Sequence, residues 1–414
     1  MLAIYNKAKA KDFLAKNTKI VYDTLPYDNL VIDIIANYRA KGFQILLATG
    51  APKEYALPIA KHLGLFDNVI ATDGKKNNVG VEKLEAIRKT IGDDFIYLAD
   101  AKKDLHIWLH CKKAILVGKN AAIKKKLKNN GVKMIDEIDT RKSFSALIAK
   151  QLRLHQWVKN ILVFVPAIAG HLLFEEGVFI ATFSAFCSFC LIASGFYIIN
   201  DIHDIDSDRK HPINKDRPIT SGQLPVNLAL FISMIMFVIG AVLTLGLGFL
   251  FSIVISSYIL LNIIYTRYIK QVIILDLILL MIFYTIRLLA GYVPLAVLPS
   301  PWLLSFSIFL FFSLGLLKRY IEIILLREKN VVTISGRGYS LKDSNILMTM
   351  GVSSSIIAGL VLLLYTGSEN VAVLYNRPII LIALVPIYMY WITWMWFMAE
   401  RGEMKSDPVI FAIK

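Results

Sequence analysis

The densest chemistry in the chain lies at Asn200-Asp201-Ile-His-Asp204-Ile-Asp-Ser-Asp208, followed at once by Arg209-Lys210-His211-Pro-Ile-Asn-Lys215-Asp-Arg217-Pro218. Asp201, Asp204 and Asp208 are spaced i, i+3, i+7, which places them on one face of a helix. Oxygen ligands on one face suit Mg2+, a hard cation that keeps waters and recruits substrate phosphates. Asn200 offers a fourth oxygen. The cations that follow suit phosphate, so acids for a metal and bases for phosphate together describe a diphosphate site. A solvated acidic loop is the plain alternative, and the adjoining run of cations argues against it. Asp206 falls off the acidic face and is expected to be solvated or to support the other three.

The elements that must carry this cluster are apolar. The chain has 414 residues, 56% hydrophobic and only 19% charged, with a mean hydropathy of +0.57. Residues 1–150 hold 27 Lys/Arg and 16 Asp/Glu, whereas residues 151–414 hold 19 and 15. A charged third thus precedes an apolar remainder, which excludes a wholly soluble enzyme, a disordered chain and a disulfide scaffold. The net charge of +15 invites a nucleic-acid partner, but no nucleic-acid module is visible; membrane topology and phosphate binding account for the charge better. Cys187 and Cys190 lie inside an apolar run, where packing is the expected role.

Eight apolar stretches after Arg153 are long enough to cross a bilayer: roughly 158–174, 178–199, 226–247, 249–266, 272–292, 302–317, 346–366 and 378–398. Their connections follow the positive-inside rule. Asp201–Leu224, Arg267–Lys270 and Lys318–Lys342 carry the cations, while His171–Glu176, Gly246–Leu250 and Gly291–Ser300 carry none; Arg377 is the exception. The expected location is a cell (inner) membrane, multi-pass, with the N-terminal domain and the active site cytoplasmic.

Residues 1–150 alternate between strand and helix patterns. Phe43–Thr49, Phe95–Ala99 and Lys113–Val117 read as buried strands, and Asn29–Ala40 and Val81–Ile91 as helices. This alternation predicts an α/β domain with a mainly parallel sheet, whose functional residues lie beyond the carboxyl ends of strands. Thr49, Asp100 and Asp104 fall there.

Further polar residues stand within or beside the apolar runs: Gln156-Trp157-Val-Lys159-Asn160, Tyr265-Thr-Arg267-Tyr-Ile-Lys270, Arg287, and Leu317-Lys318-Arg319-Tyr-Ile-Glu322. A cation deep in a span is a functional candidate; Trp157 and Arg267 also suit plain interface anchoring. The pattern Asn-Asp-x-x-Asp-x-x-x-Asp, followed by Arg217-Pro-Ile-Thr-Ser-Gly222, resembles the first Asp-rich motif of the UbiA superfamily of intramembrane prenyltransferases, over about residues 150–414. The resemblance implies nine transmembrane helices around a cavity with cytoplasmic active-site loops. Eight are visible, and the chain stops where a ninth would start, which reads as a truncated C-terminus. The second Asp-rich motif is missing: after Arg217 only Asp276, Asp343 and Asp407 remain, no two of them four apart. Lys318, Arg319 and Glu322 stand near its place. One acidic motif with extra cations resembles the decaprenyl-phosphate phosphoribosyltransferase branch, which implies transfer of phosphoribose from phosphoribosyl pyrophosphate (PRPP) to a polyprenyl phosphate. A prenyl diphosphate-dependent aromatic or quinone prenyltransferase is the alternative.

The resemblance implies roles as follows. Asn200, Asp201, Asp204 and Asp208 would hold Mg2+. Gln156, Lys159, Asn160, Lys215, Arg217, Tyr265, Lys270 and Arg287 would bind substrate. Asp201 and Asp204, with Lys318, Arg319 and Glu322 on the opposite wall, would be catalytic. In the first domain, Leu46-Leu-Ala-Thr49-Gly, Lys83 and Leu98-Ala-Asp100-Ala-Lys-Lys-Asp104 resemble haloacid-dehalogenase (HAD) motifs. That chemistry requires a nucleophilic Asp-x-Asp on the first strand, and Asp23 and Asp28 are not so spaced. The expected architecture is an incomplete HAD/Rossmann-like α/β domain over 1–150, without phosphatase activity, followed by an all-α, multi-pass UbiA-like bundle over 151–414.

Overall fold

The computed structural model describes residues 7–18, 20–73, 77–118, 120–138, 143–211, 214–327, 338–404 and 407–411. The chain divides into two compact units, Met1–Ala146 and Leu147–Lys414.

The first unit begins with helices α1 (Lys7–Lys16) and α2 (Asn29–Ala40) and continues as β1 (Leu46–Pro52), α3 (Lys53–Leu63), β2 (Asn68–Thr72), α4 (Val81–Ile91), β3 (Ile96–Ala99), α5 (Leu105–Trp108), β4 (Lys113–Val117), α6 (Ala121–Asn129) and β5 (Met134–Ile138). Strands β1 and β2 pair in parallel, and β3, β4 and β5 form a second parallel sheet in that order. Leu84, Ile87, Trp108, Leu116 and Leu127 fill the core. Asp28 caps α2 by accepting from the Leu30 amide at 3.1 Å, and Asp23 lies 3.2 Å from His62. Both carboxylates thus have local structural partners.

The division falls within α7 (Phe144–Gln151). After α7 come α8 (Val165–Ala169), α9 (Val178–His203), α10 (Ile205–Lys210), α11 (Val226–Gly246), α12 (Phe249–Ile264), α13 (Leu275–Tyr292), α14 (Pro301–Arg327), α15 (Ser344–Thr366), α16 (Glu369–Leu374), α17 (Leu384–Glu400) and α18 (Pro408–Phe411). Among the described residues, six segments are long and apolar enough to cross a membrane, built on α9, α11, α12, α13, α15 and α17. Helix α14, 27 residues long, contains the apolar stretch Trp302–Leu317. The first of the eight expected stretches folds differently. It is a 3-10 helix, Leu154–Phe164, followed by the short α8. Pro166 removes an amide donor there, and Lys159 and Asn160 turn their polar side chains inward.

Helix α13 is the hub. Leu277 and Tyr284 pack into a cluster with α14, α15 and α17. Leu279, Phe283, Ile286 and Ala290 pack into another with Val163, α9 and α12. Helix α11 is inside-out by the standard of a soluble protein. Its buried residues are Ala229, Ser233, Gly240 and Thr244, while Phe231, Met234, Val238, Val242 and Leu245 are exposed. Small residues meet α9: Ser233 Oγ donates to the Gly195 carbonyl at 3.1 Å, and Ser188 Oγ to the Gly240 carbonyl at 3.1 Å. Close approach through small residues, with large apolar side chains outward, is how helices pair in lipid.

A Cβ at Gly240 would sit 2.7 Å from Ile192. Gly240→Val should therefore part α9 from α11 and destabilise the bundle by about 1–3 kcal/mol. A thermal-unfolding series in detergent checks this, and an unchanged midpoint would contradict the packing.

Candidate functional site

Helix α9 ends at His203, and Asp204 (φ −94°, ψ 9°) interrupts it before α10. This break redistributes the three acids that the sequence spacing places on one face. Asp201 and Asp208 share one cation: Arg217 Nη1 donates to Asp201 Oδ1 at 2.9 Å and to Asp208 Oδ2 at 2.5 Å. Asp204 turns to Lys270, whose Nζ lies 2.9 and 2.7 Å from its two oxygens. Asn200 accepts from Thr266 Oγ1 at 3.0 Å. Among the described residues, no three His, Cys, Asp or Glu side chains already converge as a metal cluster. The donors are nevertheless all oxygen, as a hard divalent ion requires.

Asp201, only 2% exposed, is held by three side-chain partners, one of them Arg217. Gln151 Nε2 donates to it at 2.8 Å and Arg153 Nη2 at 2.5 Å. Arg153 adopts a left-handed backbone (φ 52°) and lays its guanidinium 4.8 Å from the centre of the Tyr197 ring. Asp208 is also bonded by Asn214 Nδ2 at 2.8 Å. Burial raises the Asp208 pKa, and the neighbouring Arg217 offsets this only in part. Burial pushes Asp204 the same way, but its bonds with Lys270 and His203 prevail and hold it below the ordinary carboxylate value.

A π-helical turn, Tyr265–Ile269, extends α12. Such turns recur at functional sites because they re-aim side chains. Here Lys270 reaches Asp204 and Tyr265 reaches Arg319, whose Nη2 donates to its hydroxyl at 3.4 Å.

A second polar cluster is built around Arg319, which is fully buried. Its Nε donates to Asp276 at 2.7 Å and its Nη1 to Glu322 at 2.7 and 2.8 Å. Tyr339 donates to the other Asp276 oxygen at 2.6 Å and accepts from the Ile274 amide at 2.9 Å. Arg319 and Glu322 are thus held in a tie between α13, α14 and the segment before α15. Lys318 points elsewhere, with Nζ 3.5 Å from Asp407. Lys159 reaches the same Asp407 oxygen at 2.6 Å. Burial would raise the Asp407 pKa, but the two ammonium groups hold it well below the usual carboxylate range.

Arg287 is buried in α13 and has no carboxylate partner among the described residues. Its Nε donates to Asn160 Oδ1 at 2.6 Å, its Nη1 to the Phe283 carbonyl and its Nη2 to Tyr258 at 3.2 Å. Asn160 in turn donates to Cys190 at 3.2 Å. Arg287 therefore fixes the 3-10 segment that carries Lys159. Gln156 lies beside His155 at 3.2 Å, and Lys215 is exposed.

The UbiA prenyltransferase family matches residues 163–412, more than half of the chain. The chain belongs to the UbiA prenyltransferase family. It is a membrane transferase, and residues 1–107 separately match the haloacid dehalogenase-like hydrolases. An uncharacterized protein y4nM of Sinorhizobium fredii is 32% identical over 405 residues, 97% of this chain and 78% of that one. A decaprenyl-phosphate phosphoribosyltransferase of Corynebacterium glutamicum is 37% identical over 186 residues, 42% of this chain and 54% of that relative, little more than half its length. A UbiA homolog from Archaeoglobus fulgidus, solved bound to GPP and Mg2+, superposes with a TM-score of 0.49 at 12% identity, over 64% of this chain and 99% of that one.

In the HAD-like unit, Lys83 and Asp104 meet as a buried ion pair at 2.6 Å, and Lys83 also donates to Tyr97 at 3.0 Å. Thr49 lies within β1, three residues before its end, and Asp100 directly follows β3. In the UbiA bundle, sequence reasoning missed Gln151, Arg153, Thr266, Asn214, Tyr339 and the pairings of Asp276 and Asp407. Asp276 carried a legible signal, since an acid inside an apolar run needs a partner.

Truncating a buried ion pair on one side leaves uncompensated charge. Arg319→Ala, which strands Asp276 and exposes the Glu322 tie, should lower stability by about 3–5 kcal/mol. Thermal unfolding measures it; a stable variant altered only in substrate KM would place Arg319 at the substrate instead.

Proposed function

We propose that this UbiA transferase moves 5-phosphoribose from PRPP to a polyprenyl phosphate and releases diphosphate, at the cytoplasmic face of the membrane. The observation that carries the reading is the balance of charge around α14. The acids Asp276 and Glu322 are engaged by Arg319, while Lys318, on the same helix but turned away from them, shares the Asp407 carboxylate with Lys159. Such an arrangement suits an anionic group better than a second metal cluster. The partial likeness to decaprenyl-phosphate phosphoribosyltransferases supports the same choice.

Asn200, Asp201, Asp204 and Asp208 would hold Mg2+, which when bound neutralises charge on a diphosphate leaving group. Lys270 and Arg217, now paired with these acids, stand where they can exchange a carboxylate for a substrate phosphate oxygen. Lys215, exposed on the same loop, adds a third cation. In the reaction the bond from the anomeric carbon to the diphosphate oxygen breaks, and a lipid phosphate oxygen bonds to that carbon. The nucleophile is already an anion, so no general base is needed. His203 lies 3.2 Å from Asp204 and His211 accepts from the Asn214 amide at 3.3 Å, both consistent with positioning roles. Gln151 and Arg153 fix Asp201, and Arg287 fixes Asn160, as positioning residues.

Membranes containing the full chain should convert labelled PRPP and polyprenyl phosphate to a lipid-linked phosphoribose, and Asp201→Asn and Asp204→Asn should each lower the rate at least about 100-fold while leaving the protein in the membrane. Consumption of a prenyl diphosphate with 4-hydroxybenzoate, and none of PRPP, would replace this reading with an aromatic prenyltransferase.

The orientation is checked separately. A cysteine at Ser300, in the cation-free Gly291–Ser300 connection, should react with an impermeant thiol reagent in intact cells. Reaction only after the cells are opened would reverse the topology.

A further inference from the structure

Two ammonium groups from distant parts of the bundle converge on one carboxylate. Lys159, from the 3-10 segment before α8, is 8% exposed and donates to Asp407 at 2.6 Å. Lys318, from α14, approaches the same oxygen only to 3.5 Å, and its side chain is 32% exposed. The Tyr284 ring centre lies 5.8 Å from Lys159 Nζ. Asp407 directly precedes the four-residue α18 and caps it, accepting from the Val409 amide at 3.1 Å through its other oxygen. Phe411 stacks on Trp394 at 5.2 Å and anchors that helix to α17.

The charges do not cancel. Among the described residues two cations face one anion, and the carboxylate reaches one ammonium well and the other poorly. A phosphate monoester carries up to two negative charges on three oxygens, enough to balance both lysines and to bond both at once. Lys318, a third exposed, leaves a way in.

We propose that Lys159 and Lys318 form a subsite for one phosphate monoester, and that Asp407 is an internal carboxylate occupying that subsite until the phosphate displaces it. The inference rests on the transferase reading above in taking the occupant to be a substrate phosphate. The polyprenyl phosphate and the 5-phosphate of PRPP present the same chemistry, and the experiment separates them.

The full chain, purified in detergent, is titrated with farnesyl phosphate, with ribose 5-phosphate and with farnesol as the neutral control, using wild type, Asp407→Asn and Asp407→Asn combined with Lys159→Gln. Asparagine keeps the cap on Val409 but removes the charge. One of the two phosphates should bind Asp407→Asn roughly 10-fold or more tightly than wild type. The gain should vanish in the double variant, and farnesol should show none. Whichever phosphate gains is the occupant. Unchanged or weaker binding of both phosphates overturns the proposal. Asp407→Ser, which also caps, serves if the asparagine variant is unstable; if neither folds, the carboxylate is structural and the proposal fails. No PRPP or turnover enters the assay, so failure of phosphoribosyl transfer would leave its outcome readable.

Discussion

A carboxylate buried in an apolar bundle is tolerated only when it is paired and hydrogen-bonded, and Asp201 sets that condition here. Its partners come from either side of α9 in the sequence. Gln151 ends α7, Arg153 turns through a left-handed conformation, and Arg217 stands before α11. Satisfying one acid therefore fixes the entry to the bundle, the end of α9 and the following loop at once. Arg217 then passes the constraint to Asp208, and the break at Asp204 hands the remaining acid to Lys270 on the π-turn.

The cluster around Arg319 repeats this logic with the signs exchanged. Arg319 is the buried charge, and Asp276, Glu322, Tyr339 and Tyr265 gather around it. Helix α13 joins the two halves of the bundle. It supplies Asp276 near its start and Arg287 further along, and it packs into both large hydrophobic clusters. The polar site and the apolar scaffold are thus parts of one packing arrangement, in which each buried charge selects its neighbours.

Much of this was legible in the residues. The helices Asn29–Ala40 and Val81–Ile91 and the strand Lys113–Val117 occur with the expected bounds, because hydrophobic periodicity and flanking glycines mark them. The long apolar helices follow from composition alone. The β2 and β5 strands escaped notice: Asn68–Thr72 is short, and Met134–Ile138 carries Asp136 and Glu137 inside it. The acid spacing puts Asp201, Asp204 and Asp208 on one face of a regular helix, whereas the break at Asp204 gives them different partners. Which cation meets which acid depends on residues as far apart as Lys159 and Asp407 or Asp276 and Tyr339, and no local pattern encodes such pairs.

The seam between α9 and α11 carries a consequence for sequence drift. Lipid tails are as apolar as the side chains they touch, so burial there yields little from the hydrophobic effect, and contact quality decides. At Ala229 and Ser233, exchange between alanine and serine changes polarity but hardly changes volume, whereas at Gly240 a Cβ would lie 2.7 Å from Ile192, so that position admits no larger residue without a shift of α9. On the outer face, Phe231, Val238 and Leu245 can trade among large apolar residues without meeting a neighbour. The two faces of this helix therefore evolve under different rules, one governed by size and the other by solubility in lipid.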